Sequence, residues 1–309
     1  MNFSSIFAGK MLGDAYLNCS HSAVRFAFIH ALKDKDYAEH SYNLFAKFLP
    51  FNSNGIKVEH IYDKRTNKTY SRVFCQSRTS PLLNEMYSMW YRKNRKVIPK
   101  DWLEKSLTSE GLAIWFQDDG CLKNNGNRII LSTESFTEEE KDFLLKVMKK
   151  KFLINASIDT QGRIDISRSR EVRKFQALVE PYIHKSMKRK SINNRWQHWE
   201  KEWREVSHSK KGICRTSIYL PDQFYHSLKG KEYSNILNNL LDKWLDKEWN
   251  ENLLNPDKRY LWLLNHDGVQ KGSNLLTPRF ERDIKKRLDI IAEVTGFERS
   301  ELVIMALKE

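Results

Sequence analysis

Two short apolar segments of this chain stop abruptly in an acid. One is Ile6-Phe7-Ala8-Gly9-Lys10-Met11-Leu12-Gly13-Asp14-Ala15. The other is Gly111-Leu112-Ala113-Ile114-Trp115-Phe116-Gln117-Asp118-Asp119-Gly120. They overlay with Asp14 on Asp119, so one chain carries two helices that each deliver a carboxylate at the C-terminal end. That end of a helix already bears partial negative charge, and a carboxylate there needs a compensating cation. If the helices pack together the acids approach each other, and like charges at short range require a shared proton or a bound divalent metal. Gly9 and Gly13 lie four apart on one helix face, which permits such an approach.

The stretches of chain after the two acids also repeat each other. After Asp14, Val24 to His30 is rich in strand formers. A helical pattern then runs to Leu49, strands are expected over 56–62 and 69–77 around the polar turn 63–68, and a helix runs from Pro81 to Tyr91 before the basic run 92–96. After Asp119, a basic turn at 123–128 precedes the strand Ile129 to Ser132. Thr137 and Glu140 form a capping box that opens a helix. Strands over 154–159 and 163–167 flank Gln161-Gly162, a helix spans 171–178, and the unit closes in the basic cluster 185–190. The chain is a degenerate tandem repeat.

The 309 residues carry a formal net charge of +14, with a pI near 9.5. Such an excess repels itself unless a polyanion is drawn in, and nucleic acid is the first expectation. No apolar run approaches the roughly 20 residues needed to cross a bilayer, which excludes a membrane span. Nor does the start of the chain show the basic-then-apolar order of a signal peptide. Cys19, Cys75, Cys121 and Cys214 lack metal-finger spacing and read as free thiols in a reducing compartment.

The paired segments resemble the two copies of the motif that names the LAGLIDADG homing endonucleases, in the single-chain form that holds both halves of a pseudo-dimer. The first copy departs from the pattern, with Leu12 at the earlier acidic position and Ala15 in place of the last glycine. The resemblance covers about residues 5 to 195. It implies an α+β fold of two αββαββα repeats, about 1–100 and 101–205, related by a pseudo-twofold axis. It further implies metal ligation by Asp14 and Asp119, aided by the backbone at Ala15 and Gly120, with Asp118 a neighbour of the site. Mg²⁺ is the expected cofactor, with Mn²⁺ as a substitute, and a double-strand break in a long specific duplex the expected product. Lys96 and Lys190, at matching ends of the two repeats, align with the family's active-site basic residue. Divalent metals between carboxylates neutralise a scissile phosphate and activate water.

Strands with alternating polar residues can lie in the major groove and read base edges. The candidates are Arg25, Lys64, Arg65, Asn67, Lys68, Arg72, Gln76 and Arg78 in the first half, with Lys123, Asn124, Arg128, Gln161 and Arg163 in the second.

From about Asn193 the composition shifts. Trp196, Trp199 and Trp203 form a stripe expected to be a core-facing helix seam that ends the nuclease domain, and 207–212 reads as a linker. Beyond it, a short alternating strand at 215–220 leads into a helix opened by Pro221-Asp222, then a second helix capped at Ser234. Strand, short helix and longer helix resemble a ribbon-helix-helix DNA-binding unit, about 213–250. A second copy, about 273–309, has its ribbon at 276–280, helices over 282–294 and from Ser300, and Gly296 as a C-cap. Pro278 departs from the pattern because a central ribbon position should donate to its partner strand. On this resemblance Thr216, Ile218 and Leu220 face the core, while Arg215, Ser217, Tyr219, Thr277 and Arg279 face DNA. The expected domains are thus 1–205 and 206–309, the latter a small, mostly α pseudo-dimer.

The leading reading is a homing endonuclease that acts as a monomer. Its alternatives are an intron RNA maturase and a ribbon-helix-helix repressor. The ribbon-helix-helix resemblance suggests a bacterial or phage setting and a cytoplasmic, nucleoid-associated location.

Overall fold

A computed structural model describes residues 2–21, 23–206 and 212–309, and it parts them into two compact units. The expected linker at 207–211 lies outside the described residues. The first unit comprises residues 1–125, 129–166 and 182–191. Its elements run α1 (Phe3–Leu12), β1 (Ala15–Ser20), β2 (Ala23–Ala31), α2 (Lys35–Phe45), β3 (Phe51–Asp63), β4 (Lys68–Ser77) and α3 (Pro81–Trp90). A small hairpin of β5 (Tyr91–Arg92) and β6 (Arg95–Lys96) follows, then α4 (Lys100–Ser106). The scheme restarts at α5 (Ser109–Asp119), followed by β7 (Gly120–Lys123), β8 (Arg128–Leu131), α6 (Glu138–Phe152), β9 (Ser157–Ile158) and β10 (Ile164–Ile166).

The duplication read from the motifs is present in the sheets. One has strand order β1-β2-β4-β3 and the other β7-β8-β10-β9, the same topology twice. Alternation explains which face is covered: in β2, Val24, Phe26 and Phe28 are buried while Arg25 is exposed. The capping box of α6 forms as expected, Thr137 accepting from the Glu140 amide and Glu140 from the Thr137 amide. At the long β3–β4 hairpin the turn residue Asn67 adopts φ +52, a left-handed conformation that asparagine tolerates.

The second unit comprises residues 126–128, 167–181 and 192–309. It contains α7 (Ser169–Val179), α8 (Asn193–Val206), β11 (Ile213–Arg215), β12 (Ile218–Leu220), α9 (Asp222–Leu228), α10 (Tyr233–Glu248), α11 (Pro256–Asn265), β13 (Asn274–Leu276), β14 (Arg279–Glu281), α12 (Arg282–Thr295) and α13 (Arg299–Lys308). The units therefore divide the chain differently from the boundary expected near 205, since α7 and α8 share a core with residues 212–309. Trp196, Trp199 and Trp203 of α8 face a core as expected, but it is the core of this second unit, with Trp249 and Trp262, and not that of the repeats. Lys174 of α7 is fully buried and bonds Glu171 and Asp267. Helices α4 and α11 were not anticipated.

Strands β11 and β12 pair antiparallel with β14 and β13, with Arg215 opposite Arg279 and Tyr219 opposite Leu275. Pro278 sits in the gap between β13 and β14, where its carbonyl accepts from the Thr216 amide and no donor is required of it. Thr216, Ile218 and Leu220 are buried, and Arg215, Ser217, Tyr219, Thr277 and Arg279 point outward, as expected. Gly296 closes α12 with φ +76.

Ser234 and Ser300 do not cap their helices. The N-caps are Glu232 and Glu298, and Glu298 forms a capping box with Glu301. The two serine hydroxyls instead accept ribbon amides, Ser234 from Arg279 and Ser300 from Tyr219. Each strand is thus pinned to the start of a second helix.

Candidate active site

The close approach of α1 and α5 rests on glycine. A Cβ on Gly9 would stand 2.0 Å from the Gly111 carbonyl oxygen, and one on Gly13 would stand 2.4 Å from the Asp118 Cβ. Only residues without side chains allow the two backbones this close. Ser5 of α1 ties the start of α5 as well, its Oγ accepting from the amides of Thr108 and Gly111. The two motif helices are therefore one element, and each ends in its acid.

The cation demanded by an acid at a helix C-terminus is present. Lys190 Nζ donates to the terminal carbonyls of α5, reaching Phe116 O at 3.1 Å, Asp118 O at 3.0 Å and also Gln117 O. It is held there by its own short helical segment, in which Arg189 forks onto Asp34 at 2.7 and 2.9 Å. Gln117 accepts from the His184 amide at 2.7 Å and secures the same segment. In the first half Lys96 Nζ donates to Ala15 O at 2.8 Å. Burial pulls both lysines down to about 8, against the opposing pull of Asp14, Asp118 and Asp119. Both expected lysines thus stand at the ends of the helix pair, Lys96 facing Asp119 most strongly among the acids and Lys190 adding its charge to both Asp14 and Asp119.

The two acids differ. Burial would raise Asp14, but the hydrogen bond from His30 and the charges of Lys10 and Lys190 outweigh it and hold the carboxyl below its ordinary value. Asp119 is pushed up to about 7, by burial first and by the charges of Asp14 and Asp118 next. Among the described residues no side chain bonds the Asp119 carboxylate.

Sequence reasoning missed the inner layer of the site. Lys10 of α1 has no exposed surface, and its ammonium lies 2.8 Å from Asp118 Oδ1, 2.8 Å from His30 Nε2 and 3.3 Å from Ser41 Oγ. Tyr37 donates to Asp118 Oδ1 at 3.0 Å, and the Asp14 amide donates to Asp118 Oδ2 at 3.1 Å. Burial and then Asp118 push the Tyr37 hydroxyl well above its ordinary range, keeping it a donor. His30 Nδ1 stands 3.1 Å from Asp14 Oδ2. Two signals were available: a lysine inside an otherwise apolar helix, and a histidine on the inward phase of β2.

Asp14, His30 and Asp118 each place one ligand atom within 4.8 Å of the others, a donor set that can hold a metal ion. Lys10, however, stands between Asp118 and His30. Only Asp14 of the three keeps its carboxylate partly open, with 29% of its side chain exposed against none for Asp118. A hard divalent ion takes oxygen ligands, and the helix pair offers the partly exposed carboxylates of Asp14 and Asp119, while the Ala15 carbonyl is engaged by Lys96. Such an ion does not fit the inner trio.

Most of the expected DNA-contacting residues lie on exposed surface: Arg25, Lys64, Arg65, Asn67, Lys68, Arg78, Lys123, Asn124 and Gln161. Gln76 is half-buried, as is Arg128, which has bonding partners of its own. Three arginines have acid partners within the chain. Arg72 bonds Glu59 at 2.8 Å, Arg163 bonds Asp159 at 2.7 Å, and Arg65 reaches Asp63 at 3.3 Å while staying almost fully exposed. The two tighter pairs leave Arg72 and Arg163 less free to turn toward a base than the neighbouring lysines.

A glycine-packed helix pair that ends in two acids, with two lysines at its termini and two sheets of the same strand order, is the duplicated arrangement expected of the paired motifs. The signature of the LAGLIDADG DNA endonuclease family matches residues 4–176. The chain belongs to that family. It is 25% identical over 195 residues to a protein of Wickerhamomyces canadensis named probable intron-encoded endonuclease 1, covering 60% of this chain and 82% of that one. It is 29% identical over 207 residues to the cytochrome b mRNA maturase bI2 of Saccharomyces cerevisiae, covering 62% of this chain and 48% of that one. Among solved structures it resembles the homing endonuclease I-WcaI bound to its DNA recognition sequence, with a TM-score of 0.53 and 23% identity, covering 60% of this chain and 84% of the other. No helix among the described residues is long and apolar enough to cross a membrane.

Proposed function

We propose that this chain is a monomeric, divalent-metal-dependent homing endonuclease that cuts both strands of one long duplex site. The observation that carries the reading is the joint placement of Asp14 and Asp119 at the ends of two helices packed glycine to glycine, each with a lysine at its own helix terminus. In this reading Asp14 and Asp119, with the backbone at Ala15 and Gly120, hold Mg²⁺ or Mn²⁺. The metal supplies charge neutralisation on the phosphate and an activated water. Lys96 and Lys190 fix the helix termini that present the acids and add positive charge beside the phosphates. The exposed basic residues of the β3–β4 hairpin and of the turn after β7 make the contacts to groove and backbone.

The second unit extends recognition as a ribbon-helix-helix-like pseudo-dimer, an assignment supported by the strand pairing of 213–220 with 274–281 and by the matched serine anchors. Its outward face carries Arg215, Ser217, Tyr219, Thr277 and Arg279. That resemblance is also the basis for a bacterial or phage setting and a cytoplasmic location.

Cleavage of a randomised duplex library in Mg²⁺ tests both parts. The full chain is expected to cut one long site, and Arg215→Ala with Arg279→Ala to relax sequence preference at one end while cleavage persists. A mixture of uncut sequences would remove the nuclease reading. An unchanged preference in the double variant would remove the tail's role. Maturase action is the second reading, favoured by the relatives that carry that name, and stimulation of intron splicing would test it.

A further inference from the structure

A lysine ammonium has three N–H donors and no acceptor. Around Lys10 all three are committed: to Asp118 Oδ1 at 2.8 Å, to His30 Nε2 at 2.8 Å and to Ser41 Oγ at 3.3 Å. His30 Nε2 must therefore accept, which leaves the ring proton on Nδ1, 3.1 Å from Asp14 Oδ2. Asp118 forms the direct ion pair with Lys10, so Asp14 is reached from Lys10 by hydrogen bonds only through His30. One buried chain thus runs Asp118, Lys10, His30, Asp14, and it ends in a hydrogen bond that fixes one oxygen of Asp14.

Among the described residues the second half shows no counterpart. The motif overlay puts Trp115 where the first half has Lys10. The chain that bonds back to Asp119, with the Ser132 amide on Asp119 O at 3.2 Å, carries Ser132 and Thr133 where β2 carries His30. The Thr133 hydroxyl is committed to Gly162 O and the Ile164 amide.

We infer that His30 is a positioning residue for Asp14, held by Lys10 in the Nδ1–H tautomer, and that the two half-sites are consequently unequal. The half built on Asp14 is preorganised and the half built on Asp119 is not, so the strands are cut in a fixed order, the Asp14 half first. This rests on the proposed role of Asp14 in cleavage.

The test compares His30→Asn, whose amide nitrogen falls near the Nδ1 position, with His30→Gln, whose nitrogen falls near Nε2. Strand-resolved cleavage of the selected target is read beside Mn²⁺ binding by electron paramagnetic resonance in the absence of DNA. His30→Gln is expected to slow one strand about 10- to 100-fold, the range found when a group orienting a metal ligand is lost. It should accumulate a nicked product and weaken one of two Mn²⁺ sites. His30→Asn should restore most of both. Equal slowing of both strands, no change in either, or identical behaviour of the two variants overturns the inference. A wild-type chain that cuts nothing would instead indict the nuclease reading.

Should His30→Gln not fold, ¹⁵N shifts of the histidines in the wild-type protein decide the matter. Nδ1–H at His30 near neutral pH supports the relay, and Nε2–H or a doubly protonated ring overturns it.

Discussion

Asp119 shows what a buried acid beside other acids can cost a fold. With no metal bound, its carboxyl is pushed up from its ordinary 3.8 to about 7, by burial first and by the charges of Asp14 and Asp118 next. Between those two values the folded chain holds a proton that the unfolded chain has lost. Its contribution to stability therefore falls as pH climbs through that window and is lowest above it. Asp119→Asn is expected to raise the melting temperature at about pH 8 and to bring little gain near pH 4. Thermal melts of both proteins across that range check this, and a gain that grows toward acid pH would refute the assignment. At this scale the outer acids and lysines were legible because duplication placed them in register. Lys10 was not, because its partners, His30, Ser41 and Asp118, are 20, 31 and 108 residues away. A lysine's sequence neighbours say nothing about a carboxylate that arrives from the other repeat.

At the scale of elements, the glycine seam sets the separation of the two acids. Gly9→Ala would drive a methyl into the Gly111 carbonyl, 2.0 Å away, so the helices must separate. A loss of about 1–3 kcal/mol or more is expected from such overpacking. Nothing stands within 4 Å of a Cβ built at Gly268, and Gly268→Ala should be near neutral. Chemical denaturation of the two variants gives the comparison, and equal stability would argue against a tight seam. Capping chemistry was legible where it is local, at Thr137 with Glu140 and at Gly296. It misled at Ser234 and Ser300, where the helices begin before the serine and the ribbon amides of Arg279 and Tyr219 claim the hydroxyls. A serine before an apolar run satisfies either role, and only the partner strand, distant in sequence, decides between them.

At the scale of the whole molecule, the tail is not an appendage that can be cut away at 206. If residues beyond 206 are removed, helix α7 loses Asp267, the partner of its buried Lys174, and Glu301, the partner of its Arg170. Helix α8 loses the cover over Trp196, Trp199 and Trp203, three side chains worth roughly 1.5–3 kcal/mol each on burial. A chain ending at Val206 is expected to aggregate or to unfold without a cooperative transition, as read by size exclusion and calorimetry. A soluble, cooperatively folding fragment would contradict the shared core. The sequence boundary fell near 205 because composition changes there, while a hydrophobic core follows contacts that composition does not report. The central claim, that two acids serve two strands, is tested most directly by strand-separated cleavage of the selected target with Asp14→Asn and Asp119→Asn in Mg²⁺, alongside binding in EDTA. Each substitution should abolish the double-strand break and leave duplex binding intact. Undiminished double-strand cleavage by either variant would contradict it.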